Sequence, residues 1–114
     1  MPLISGAHTM IFTRDEEADR AFLRDVLEIP CIHSGGGWLI FKLPPAELGV
    51  HGGDNNDVHQ LYLICDDLDA AVEALAGKDV ACDEPRSASW GRFTGVPLPG
   101  GGTIGLYEAH HARP

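Results

Sequence analysis

The sequence is short of positive charge. It holds eight Lys and Arg against 17 Asp and Glu, for a net charge of −9. Proteins that follow nucleic acid or an anionic membrane surface present a basic footprint, so neither is expected as a partner here. Cysteine is also scarce. Cys31, Cys65 and Cys82 are an odd number, far apart and without a CxxC pair, which argues against a disulfide framework and for buried free thiols. No apolar run approaches the ~20 residues that span a bilayer. The stretch MPLISGAHTMIF lacks the basic region and small-residue cleavage site of a signal peptide. A soluble, cytoplasmic protein is expected.

What is present is enough apolar material for a core: 44% of 114 residues, which suits one domain or two small halves sharing a core. Leu3 to Thr13 reads as a strand with His8, Met10 and Phe12 on one face. EEADRAFLRDVLEI follows, with Ala18, Phe22 and Val26 at helical spacing beside Leu23 and Leu27. Asp15 is its cap, acidic residues fill its first turn and Pro30 stops it. Cys31 to Ser34, Trp38 to Leu43 and Ala46 to His51 read as three further strands, and GGDNND at 52–57 as a turn. His59 to Cys65 is a strand and LDAAVEALAGK a helix, with Gly77 as its C-terminal cap. Val80 to Cys82, Trp90 to Val96 and Thr103 to Glu108 are the last three strands, and AHHARP reads as a loose tail.

Both halves therefore run strand, helix, three strands. HTMIFTRD and HQLYLICD each place a histidine near a strand start and an aspartate seven residues later, before a helix. The matched order of elements points to a duplicated unit, dividing near residues 1–53 and 54–114. A duplicate puts His8 and His59 at equivalent points.

Two repeat-related histidines suggest metal ligation, since neutral imidazole is a common ligand and a carboxylate completes the set. Glu47 is the natural carboxylate, although a residue just after Pro45 also suits an exposed strand start. His51 shares the Glu47 face and is a further ligand, a proton carrier or an exposed turn residue.

On these residues the chain resembles the vicinal oxygen chelate superfamily of glyoxalase I, extradiol dioxygenases and the fosfomycin and bleomycin resistance proteins. The resemblance rests on His8 with TMIFTRD, on GWLIFKLP, AELGVHG, His59 with QLYLICDD, and LPGGGTIGLYE. It implies an α+β fold in which two βαβββ modules form a curved mixed sheet, an open barrel, around a central cleft. It implies metal ligands at His8, Glu47 and His59. The fourth position falls on Gly105, where metal-binding members carry a carboxylate; Glu108 lies three residues on and faces the other side of a regular strand.

Two functions follow from the resemblance. One is a lyase, isomerase or dioxygenase-like enzyme, in which Fe(II), Mn(II), Ni(II) or Zn(II) chelates a small substrate through adjacent oxygens. Glu47, His51 and Tyr107 are its candidates for catalysis, with Trp38, Phe41, Trp90 and Phe93 as walls. The alternative is a metal-free protein that binds or sequesters a drug-like ligand, favoured by Gly105 and by the acidic charge. The resemblance and the sheet edges that pairing would cover also imply a homodimer.

Overall fold

The computed structural model describes residues 8–114. Two helices pack on one side of a sheet built from the second half of the chain. Helix α1 (Glu16–Ala21) starts where the Asp15 carboxylate accepts from the Ala18 N–H at 3.1 Å. Its continuation, Phe22–Val26, is a π-helical turn. Glu28, at φ 57, turns the chain out of the helix before Pro30 is reached. Strands β1 (Cys31–His33) and β2 (Leu39–Phe41) then form an antiparallel hairpin. Gly35, Gly36 and Gly37 all have positive φ in its turn, a conformation open to glycine and strained for other residues.

The second half is a complete βαβββ unit. Strand β3 (Tyr62–Ile64) leads to helix α2 (Leu68–Ala76), then to β4 (Arg86–Ala88), β5 (Gly91–Pro97) and β6 (Thr103–Ala109). The sheet order is β3-β6-β5-β4, with β3 parallel to β6 and the other pairs antiparallel. Two carboxylates hold the start of α2: Asp67 accepts from the Ala70 N–H at 3.1 Å, and Glu108 from the Leu68 N–H at 3.0 Å. Asp79, at φ 62, supplies the left-handed turn beyond α2, whereas Gly77 keeps a right-handed helical conformation.

The core lies between this sheet and the helices. Leu68, Val96 and Ile104 are fully or almost fully buried and are joined by Phe22, Leu75, Val80, Leu98 and Leu106. Full burial of such a side chain stabilises by about 1.5–3 kcal/mol relative to exposure.

The first half is less complete than the repeat implies. His8 to Thr13 and Ala46 to His51 form no strand, and Val80 to Cys82 is likewise outside any strand; the Leu3 to Ala7 part of the expected first strand lies outside the described residues. A strand needs a neighbour for its backbone and cover for its apolar face. Phe12, Leu48 and Val50 have neither: they are 90%, 91% and 95% exposed.

One buried polar contact ties the halves together. Asp19 on α1 is only 5% exposed, and its Oδ1 accepts from the Gly100 N–H at 2.7 Å, between β5 and β6. A Cβ on Gly100 would lie 3.0 Å from both Asp19 carboxylate oxygens. Asp19→Ala strands that N–H and should cost about 1–3 kcal/mol. Urea unfolding is expected to show a lower midpoint at unchanged slope; an unchanged midpoint would mean that the contact carries no stability.

Candidate functional site

The alternation of β6 sorts its residues between two environments. Ile104 and Leu106 turn toward the helices, where with Leu63, Ala71 and Leu75 they border a cavity of about 230 Å³. Gly105, Tyr107 and Ala109 turn to the opposite, open face. On that face Tyr62 pairs with Gly105 across β3 and β6, and Phe93 pairs with Tyr107 across β5 and β6. The Tyr62 ring lies so close over Gly105 that any Cβ there would overlap it. The absent side chain at Gly105 is thus the space that Tyr62 fills.

The result is an aromatic row. The rings of Tyr62 and Tyr107 meet edge to face at 5.8 Å, Trp90 meets Tyr107 in the same way at 5.5 Å, and Trp90 stacks on Phe93 at 4.9 Å. Both tyrosines of the chain and one of its two tryptophans are here. Tyr62 and Trp90 remain 39% and 40% exposed, so the row is open to a partner ring. Edge-to-face and offset-stacked arrangements are the favoured geometries of aromatic pairs.

The residues after β6 fold back over this row rather than forming a loose tail. The His110 N–H donates to the Trp90 carbonyl at 2.9 Å, and its Nε2 lies 2.7 Å from Glu108 Oε2. His111 stacks on Tyr107 at 6.1 Å, with its Nε2 3.4 Å from the phenol oxygen. Arg113 then grips Glu47 in a two-pronged pair, Nε to Oε1 at 2.6 Å and Nη2 to Oε2 at 3.0 Å. Such fork-to-carboxylate pairs add geometric specificity to charge.

The Arg113 hydrogen bond holds the Glu47 carboxyl below the usual carboxylate range, with smaller help from the Arg113 and His111 charges. Glu108 is likewise lowered, first by the His110 hydrogen bond and then by the Leu68 N–H. A depressed carboxyl favours the folded structure above its unfolded pKa, and that contribution is lost as pH falls through the folded value. Both contacts are therefore weakened in acid.

Of the residues singled out in the sequence, Glu47 and Tyr107 belong to this site. Glu108 does not; it faces the helices and caps α2. His51 is exposed, its Nδ1 directed at the Gly52 carbonyl. His8 and His59 are exposed outside any strand. Trp38 lies at the β1–β2 turn under the Arg20 guanidinium, 5.0 Å from the ring centroid, and Phe41 ends β2. Tyr62, His111 and Arg113 escaped the sequence reading. The signal for Tyr62 was an aromatic residue on the strand that pairs with the one carrying Gly105; nothing in AHHARP marked the other two.

No family model matches the chain, nor does any curated protein sequence. Solved structures do. TnmS3, an antibiotic binding protein from Streptomyces sp. CB03234, is 24% identical at TM-score 0.66, with 93% of this chain and 98% of that one covered. A glyoxalase/bleomycin resistance protein from the same organism is 25% identical at TM-score 0.60, over 83% and 92% of the two chains. Lactoylglutathione lyase from Agrobacterium tumefaciens is 16% identical at TM-score 0.66, over 94% and 95%. The fold is that of the vicinal oxygen chelate superfamily.

Superfamily members often use a divalent metal. The donors described in this chain do not fit one. Among the described residues no three His, Cys, Asp or Glu side chains converge on a common point, so His8, Glu47 and His59 are not brought together. The Glu47 carboxylate is taken by Arg113, and Gly105, where the resemblance implies a fourth ligand, is covered by Tyr62.

Gly105→Glu, which places a carboxylate at that position, should destabilise by about 1–3 kcal/mol through overpacking. Tyr62→Ala in the same chain should recover part of the loss, giving a non-additive double-mutant cycle in urea unfolding. Strict additivity would show that the ring does not occupy the space.

Proposed function

We propose that this protein binds a flat, small organic molecule on the face formed by Tyr62, Trp90, Phe93 and Tyr107, holding it without chemical change. The observation that carries this reading is the Tyr62 ring seated over Gly105: aromatic surface stands where the metal-binding members put a ligand. Rings on a sheet offer area at little entropic cost, because each has few torsions to freeze. The likeness to a structure described as an antibiotic binding protein supports a ligand of drug-like size. The metal-dependent alternative would require Arg113 to release Glu47 and the exposed His8 and His59 to move toward it.

Riboflavin, a neutral flat fluorophore, is a suitable probe. Its emission should be quenched on binding, and Trp90→Leu or Tyr107→Ala should weaken binding at least about fivefold. Metal analysis of protein purified without chelators separates the alternatives: near one equivalent of Fe, Mn, Ni or Zn, lost in His8→Ala and His59→Ala, would overturn the metal-free reading.

We also infer a homodimer. Phe12, Leu48, Val50 and Val58 are all more than half exposed, and removing such apolar surface from water favours association. A second copy would supply neighbours for the two segments that form no strand here. Light scattering should give twice the 12.2 kDa chain mass; a monomeric mass at micromolar concentration would sink the dimer.

A further inference from the structure

We propose that the segment His110–Arg113 is a displaceable strap that stands in for the ligand, and that the ligand therefore pairs a flat ring with a basic group. This rests on the binding face proposed above and goes beyond it by naming what the face selects. The strap presents two chemistries in order. The His111 imidazole stacks on Tyr107 within the aromatic row, and two residues later the Arg113 guanidinium forks onto Glu47. A ligand that covers the row must move the first, and one that carries an ammonium, amidinium or guanidinium group can replace the second.

The balance of charge makes such an exchange practicable. Once Arg113 leaves, Glu47 is a carboxylate beside an open aromatic surface in a chain of net charge −9, which favours a cation over a neutral or anionic ring. The Glu47 side chain is 21% exposed and that of Arg113 39%. The pair is reachable from solvent, and exposed pairs of this kind are weak enough to be exchanged. The strap is anchored at its start by the His110 backbone bond to Trp90, so the part that must swing away is short.

The test uses the full chain and two flat dyes, cationic proflavine and neutral riboflavin, each titrated by fluorescence. Arg113→Ala frees the face and should tighten both dyes, by roughly threefold to tenfold. Glu47→Gln added to Arg113→Ala should then weaken proflavine by a similar factor and leave riboflavin unchanged. Arg113→Ala without tightening of either dye overturns the strap. An equal response of the two dyes to Glu47→Gln overturns the basic group. Binding that is insensitive to Trp90→Leu and Tyr107→Ala, or absent for both dyes in every variant, fails the face itself and the strap with it. Dye binding that depends on the face but ignores Arg113 fails the strap alone.

Discussion

The two-residue alternation of β6 is the constraint from which the rest follows. The strand is paired on both edges, by β3 and by β5, so its register is fixed twice and cannot slip without moving an entire apolar set to the wrong face. With Ile104 and Leu106 committed to the core, Gly105 and Tyr107 have to face outward. Glu108 must then return to the helix side, where the Leu68 N–H at the start of α2 is waiting for an acceptor. One strand thereby builds the core, caps a helix and sets the middle of the aromatic row. Tyr62 depends on the same register, because only a glycine opposite it leaves room for the ring.

The first half of the chain is held to this frame at few points. Its helix sends Phe22 into the core and Asp19 to the Gly100 N–H. The Asp19 Oδ2 is buried without a hydrogen-bond partner among the described residues, so the latch carries a desolvation cost along with its bond. The Lys78 Nζ adds a 3.0 Å bond to the Val26 carbonyl, at the end of the π-helical turn. A π turn leaves carbonyls displaced from the regular ladder, and here a side chain from the second half takes one of them. The hairpin β1–β2 has no comparable anchor in the sheet, being a separate two-stranded unit.

Much of this was legible in the sequence. Both helices, the two seven-residue strands near the end and the glycine turns are marked by spacing, caps and breakers, which are local properties. The resemblance to the superfamily came from the order of those elements and was supported by solved structures. Strands at Leu3–Thr13 and Ala46–His51 are expected from local composition, which does not say whether a neighbour exists to complete the ladder. His8 and His59 likewise lie outside any strand, so a shared strand face does not position them. Arg113 could not be found from the sequence, because its partner is 66 positions away and nothing periodic links them.

Glu47 shows how one residue can serve two chemistries. A carboxylate near aromatic surface can complete a metal site when imidazoles converge on it, or it can pair with an organic cation when they do not. The choice is made by what surrounds it, not by the carboxylate. In this chain the neighbours are a guanidinium and an imidazole stacked on a tyrosine, and Gly105 lies under a ring. Restoring one ligand would not convert this arrangement into a metal centre. The ring over Gly105 and the fork on Glu47 would both have to give way, and the first is fixed by the register of β3 against β6. The same pairing that stabilises the fold therefore also sets the aromatic row on its open face.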